Sequence, residues 1–425
     1  MAIRNTALLC ASAAGLALSS TPVWAEGQTP SLEKMWQIIQ EQQATISKLK
    51  EALETTREET TRTQDSVEKT QKNVEAVANA VENKASSAGT GWWNRTSLGG
   101  YGEMHYQGGA KDQLDFHRFV LFFGHEFNDN IRFASELELE HAFSADGEPG
   151  EVELEQAYIE ADLNESTQIY GGVHLVPVGL INEGHEPPTF YGVERNAVEK
   201  NIIPATWWEG GLGMRGAIGD SGFSYDAMVS SGLELNAANG YKVRSGRQKV
   251  AEANFKNQAY TGRLSYSGIP GIKMAGSVYY QSDATQGAGD ALTGKGVSAL
   301  LLTANVDAKW RGFGMRALYA NWSLDGAEVD LTGRDKQVGY YVEPSYKFSL
   351  PLGAFDTAQL GVFYRYSNWD NNKGLRGNTG INRHIFGANF WPVEDVVLKM
   401  DYIIEDREST IRNLKSLNLG IGYQF

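Results

Sequence analysis

The chain reads as an all-β transmembrane barrel of about sixteen antiparallel strands, preceded by an α-helical coiled coil. Three observations carry that expectation. From residue 92 to the end the hydropathy has period two, the repeat of strands with one apolar and one polar face. Beyond residue 25 no apolar run approaches the ~20 residues that a helical membrane span needs. The connections between the alternating segments are short and long in turn, as expected of a barrel with tight turns on one side and loops on the other.

The chain has 425 residues, 21% of them charged, and a formal charge of −14. That balance argues against nucleic acid as a partner. It does not set ion preference, which follows the local lining charge of a pathway. Residues 1–25 have the form of a secretory signal: Arg4 at the start, an apolar core over 7–18, and Val23 and Ala25 as small residues ahead of a cleavage site before Glu26. Cys10 is the only cysteine and lies inside that segment. No disulfide or thiolate metal site is expected in the mature chain, and no cofactor.

Residues 31–85 carry the coiled coil. With Leu32 at position a, the a series continues through Ile39, Ile46, Leu53, Thr60, Val67, Val74 and Val81. The d series runs Met35, Gln42, Leu49, Thr56, Thr63, Thr70 and Val77. A 3-4 spacing held over about seven heptads specifies helices wound on one another. The threonines make the middle of the seam weaker than its ends. The residues 85–91 form a small-residue linker.

The barrel domain is expected over 92–425. Its strands are placed at 97–107, 112–127, 131–141, 151–162, 167–179, 206–219, 222–230, 256–267, 271–281, 298–310, 312–323, 337–349, 357–368, 382–391, 396–405 and 414–425. The last strand shows the two faces plainly: Leu417, Leu419, Ile421, Tyr423 and Phe425 alternate with Ser416, Asn418, Gly420, Gly422 and Gln424. Eight of the ten tryptophans lie beyond residue 90, each near a strand end. This predicts aromatic girdles at the two membrane interfaces.

Charged residues inside strands fix which face is the lumen. In 131–141, Arg132, Glu136, Glu138 and Glu140 share the face opposite Ile131, Phe133, Leu137 and Leu139. A basic residue facing lipid at the midplane would cost ~2–4 kcal/mol, so the charged face points inward. The same reasoning turns Arg118, Arg215, Arg263, Lys273, Arg316, Lys347, Arg365 and Lys399 inward. Taken together they predict an electropositive track for anions. Glu136, Glu138, Glu140, Glu151, Glu153 and Glu155 are expected to form a solvated acidic rim.

The segment 179–208 breaks the alternation. It holds three of the eleven prolines (Pro187, Pro188 and Pro204) and a crowd of charges: Glu183, Glu186, Glu194, Arg195, Glu199 and Lys200. Strand counting sets it after the fifth strand, on the side of the long loops. We expect it to fold into the lumen, with Trp207 and Trp208 anchoring it at the outer interface.

The run GHEPPTFYGVERNAVEKNIIPATWWE, with LDFHRFVLFFGHEFNDNIRFASELELEH before it, resembles the phosphate-selective porin O/P superfamily. The helical segment ahead of the barrel makes it look closer to DcaP-like trimeric porins. The resemblance implies a homotrimer of sixteen-stranded barrels in the outer membrane of a Gram-negative bacterium, with the coiled coil in the periplasm. It implies passage of small anionic solutes through a constriction formed by inward-folded loops, with lumenal roles for Arg195, Lys200 and Arg132. The four glutamates among the two basic residues of the loop make an organic carboxylate as good a candidate as phosphate. Two alternatives belong to other classes. One is a structural protein tethered to the periplasm or cell wall by its helices. The other is a barrel hydrolase, for which none of the seven histidines stands in a nucleophile motif.

Overall fold

In the computed structural model the residues described are 91–109, 112–142, 150–375, 379–407 and 414–425, with scattered positions between 33 and 50. The segment 1–25, expected to be a signal, and most of 31–85, expected to be a coiled coil, lie outside them. Those described between 33 and 50, among them Trp36, Ile39 and Ile46, are helical. The chain divides into two units, residues 1–89 and 90–425.

The second unit opens with a single 3-10 turn, Trp92–Arg95. Sixteen strands follow: β1 Thr96–Gln107, β2 Gln113–Glu126, β3 Ile131–Glu140, β4 Val152–Asn164, β5 Thr167–Leu175, β6 Trp208–Ala217, β7 Phe223–Ser230, β8 Ala259–Ile269, β9 Ile272–Gln281, β10 Ser298–Trp310, β11 Phe313–Asp325, β12 Lys336–Ser349, β13 Gln359–Asp370, β14 Ile381–Val393, β15 Val396–Arg407 and β16 Leu414–Gln424. Each pairs antiparallel with its sequence neighbours, and β1 pairs with β16 to close the barrel. The terminal residue seals the seam: Phe425 donates its N–H to the Gly100 carbonyl at 2.9 Å and accepts from the Gly100 N–H at 3.0 Å. Closure leaves no strand edge unpaired, which is what a sheet in lipid requires.

The expected strands and the observed ones differ by a few residues at their ends. The largest differences bound the inward loops. The fifth strand ends at Leu175 rather than at 179, because Val176 and Val178 leave the wall and bury themselves in the lumen. The alternation has the expected sense. On β15, Leu398, Met400 and Tyr402 are exposed on the outside, while Lys399, Asp401 and Glu405 are buried inside.

The lumen holds a hydrophobic core. Val198, Ile202, Ile203 and Trp207 from the β5–β6 loop, with Leu233, Leu235, Tyr241 and Val243 from the β7–β8 loop, pack on Tyr279, Leu301, Leu318, Trp322 and Tyr341 of the wall. The aromatic-girdle expectation is corrected here. Trp207 and Trp322 are fully buried and Trp208, Trp369 and Trp391 nearly so. Trp207, Tyr279 and Trp322 pack in a triangle of tilted and edge-on rings with centroids 5.0–6.0 Å apart. Loops rich in Ile, Val and Leu give these indoles a dry place inside the barrel, so they do not need the membrane interface. Trp92, Trp93 and Trp310 are exposed, as are Tyr260, Tyr280, Phe313 and Tyr319 on the outer surface.

Candidate channel constriction

The β5–β6 loop, residues 176–207, crosses the lumen and is tied down on opposite walls. Its first stretch reaches β8 and β3: Glu183 accepts from Arg263, and His185 Nε2 lies 3.2 Å from Glu136 Oε1. The central stretch runs along β11, β13, β14 and β15. Thr189 O accepts from Arg316 at 3.1 Å, Tyr191 O from Arg365 at 2.7 Å and Phe190 O from Asn389 at 3.0 Å. Val193 N–H donates to Asp401 at 2.7 Å. Asn196 then caps the short helix Ala197–Asn201, its side chain accepting from the Val198 N–H.

Glu199 is the interior anchor of this helix. Its carboxylate accepts from the Leu180 and Ile181 N–H groups and from the Tyr341 hydroxyl, at 2.7–2.9 Å. Burial raises its pKa. Glycine on the wall makes room for the loop. A Cβ at Gly339 would lie 2.8 Å from Val198, and one at Gly422 only 2.4 Å from Pro187.

On the outer side of this loop lies a cavity of about 370 Å³. One side of it is the wall of β2–β4, with Asp115, His117, Glu140, Glu153 and Glu155. The other is loop: Arg195 and Lys200 from β5–β6, and Arg244, Arg247 and Lys249 from β7–β8. The three loop arginines gather around one backbone corner. Arg195 donates to the Thr206 hydroxyl, Arg247 to the Thr206 carbonyl, and Arg244 to the Ala205 carbonyl at 2.8 Å.

None of these three guanidinium groups has a carboxylate within 4 Å among the described residues, and two Arg195 nitrogens are buried with no hydrogen-bond partner. Burial and the neighbouring Arg247 push the Arg244 pKa down to about 10, and burial lowers that of Arg247. Some of the acids nearby are paired. Glu151 and Glu153 pair with Lys249. Glu194 meets His105 at 3.1 Å and Lys200 at 3.9 Å. Burial raises the Glu194 pKa, but the His105 hydrogen bond and the Lys200 charge together hold it well below the carboxylate range.

Of the eight site residues picked from sequence, Arg195, Lys200 and Arg118 line this cavity. Arg118 is buried between Glu103, at 2.7 Å, and Glu138, at 3.5 Å. Arg365 is also buried, held by Glu343 and by the Tyr191 carbonyl, and acts as a strut for the loop. Arg132 and Arg215 share Glu160 near the short-turn end of the barrel. Arg263 is paired with Glu183. Lys273 lines a separate cavity with Lys309, Arg316 and Lys347 on the other side of the loop.

The wall charges expected to form an electropositive track divide into two sets: Lys273, Lys347 and Lys399 have no carboxylate within 4 Å among the described residues, whereas the arginines are paired. Wall arginines 118, 132, 215, 263, 316, 365 and 383 are each matched by an acid within 4 Å. The solvated acidic rim is corrected. The two loops cover it, so Glu136, Glu138 and Glu155 are buried and Glu153 is paired with Lys249. Sequence reasoning missed Arg244, Arg247 and Lys249. Their signal was the basic run Lys242–Lys249 within a loop that, like its neighbour, turns inward.

A closed sixteen-stranded barrel with a loop folded across its lumen defines the class: this is an outer-membrane porin. The model of the phosphate-selective porin O and P family matches residues 78–425, and the chain belongs to that family. It is 33% identical over 340 residues to an uncharacterized protein of Aquifex aeolicus, spanning 73% of this chain and 76% of that one. Solved structures share the fold at low identity. The anion-selective porin from Comamonas acidovorans superposes with a TM-score of 0.52 at 12% identity, over 78% of this chain and 99% of that chain. The outer membrane channel DcaP of Acinetobacter baumannii gives 0.51 at 14%, over 78% and 97%. OmpF of Salmonella typhi gives 0.53 at 13%, over 78% and 97%.

Proposed function

We propose that the protein is a non-enzymatic, trimeric channel for passive uptake of small anionic solutes, phosphate or organic carboxylates, across the outer membrane. The observation that carries the anion preference is the cluster of Arg195, Arg244 and Arg247, which binds only carbonyl and hydroxyl oxygens of its own chain among the described residues. Guanidinium groups crowded in this way have unused N–H donors and mutual repulsion. A passing carboxylate or phosphate relieves both. Lys200, roughly half exposed, adds a mobile charge at the same mouth. The negative total charge of the chain does not oppose this reading, because a pathway responds to the charges that line it rather than to the total.

The trimer rests on the family and on the heptads. Ile39 and Ile46, both a positions, are exposed in the single chain, and winding three helices together would cover them. In this reading the helices lie in the periplasm.

The decisive measurement is the reversal potential of purified protein in a planar bilayer under a salt gradient. An anion-selective sign is expected, in conductance steps grouped by three. The double variant Arg244→Ala with Arg247→Ala should move the reversal potential toward zero. A cation-selective wild type would overturn the reading.

A further inference from the structure

Where the β5–β6 loop meets β3 and β4, three donor groups converge: His185 Nε2, Glu136 Oε1 and Glu155 Oε2, all buried and within 4.8 Å of one another. A β-bulge makes this possible. The β3–β4 register shifts at Glu136/Leu137, so the consecutive residues Glu155 and Gln156 both reach the lumen, and Gln156 donates to the second Glu136 oxygen at 2.6 Å. His185 Nδ1 lies 3.3 Å from the Asn182 carbonyl, which fixes that nitrogen as the protonated one. Nε2 is then aimed at two carboxylate oxygens, 3.2 Å from Glu136 and 3.5 Å from Glu155. In a neutral imidazole this sets a lone pair against two anions, a contact that either a second proton on the ring or a bound cation relieves.

We propose that this cation is a divalent transition metal of the zinc type, bound by His185, Glu136 and Glu155, with water in the fourth position. Bonds of 2.0–2.1 Å around tetrahedral zinc place donors about 3.3–3.4 Å apart. The His185–Glu136 and His185–Glu155 separations already bracket that value. The Asn182 carbonyl behind Nδ1 is the kind of outer partner that orients a metal-bound histidine.

An independent observation points the same way. Glu155 Oε2 and both Glu138 oxygens are buried and accept no hydrogen bond. The one guanidinium nearby, Arg118, is shared with Glu103. Buried carboxylates at this junction outnumber the basic groups that face them. Bound there, the ion would pin the lumenal loop to the wall that bears it and so hold the constriction at fixed width. Access is from the outer cavity, whose lining includes Glu155.

The test uses full-length, tag-free protein in detergent, stripped with chelator and dialysed against micromolar Zn²⁺. Wild type should retain one zinc per chain, and Co²⁺ in its place should give the visible bands of a tetrahedral site. Glu155→Gln, nearly isosteric and so the safer variant for folding, should weaken zinc binding at least tenfold, beyond the lower end of outer-partner losses. His185→Ala should abolish it. His117→Ala, which disrupts a separate His/Asp cluster, should leave it intact. Barrel folding is checked for each variant by heat-modifiable mobility. Wild type that retains no zinc, or Glu155→Gln and His185→Ala variants that bind like wild type, would overturn the proposal and leave a protonated His185 between the carboxylates.

Discussion

Arg365 shows how single residues hold the constriction. It is buried, paired with Glu343, and donates to the carbonyl of Tyr191 in the loop. Removing one partner of such a pair strands the other charge. Arg365→Met should therefore lower unfolding stability by roughly 3–5 kcal/mol, as read by urea titration of the barrel in lipid. Adding Glu343→Leu should recover most of that loss, because a matched apolar pair avoids the desolvation penalty that an unpaired carboxylate suffers. A double variant no more stable than the single would mean that Arg365 acts through Tyr191 alone. The loop arginines differ in kind. Among the described residues Arg195, Arg244 and Arg247 have no acid to lose, so their truncation should change permeation more than stability.

At the scale of elements, the β5–β6 loop is held by shape and by charge. The shape term is visible at Gly422, where any side chain must displace Pro187. Gly422→Leu should lift that part of the loop from β16 and raise the frequency of large-conductance openings in single-channel recordings, with the barrel itself still folded. The charge term is visible at Glu194. Its carboxyl lies well below the ordinary value, so its tether is fully present above the unfolded carboxylate value of about 4.3. The tether is lost as pH falls through the depressed one. Wild-type channels should thus stay quiet from neutral pH to mild acid and become noisy only in stronger acid. Glu194→Gln should be noisy at neutral pH already and show a weaker acid transition.

For the whole molecule, β1 and β16 pair to close the barrel. Deleting residues 31–85 should leave the conductance of each barrel unchanged while weakening the trimer, as measured by light scattering in detergent. Loss of conductance from a cleanly assembled trimer would instead tie the helices to permeation. Overall charge is a poor guide at this scale. A chain of net charge −14 can favour anions, because a solute responds to the groups that line its path and not to the sum over the chain.

Much of this molecule is local and therefore legible in its residues. The pleat repeats every two residues and lipid tolerates only apolar side chains. Alternation alone thus revealed sixteen strands, their facing and the loop that interrupts them. Arg195 and Lys200 are legible as lumenal through that loop and through the resemblance of its run to the porin O/P superfamily. The rest depended on which distant segments meet. Nothing near Trp322 or Trp207 announces that they find each other inside the barrel, since their shelter comes from loops up to about a hundred positions away. The pairing of Arg118 with Glu103, of Arg365 with Glu343, and the freedom of Arg244 and Arg247 follow from strand register and loop course. The sequence by itself determined the barrel and the inward sense of its charges. Only the tertiary structure decided which charges cancel and which stay available to a solute, because that depends on distances of a few ångströms between residues far apart in the chain.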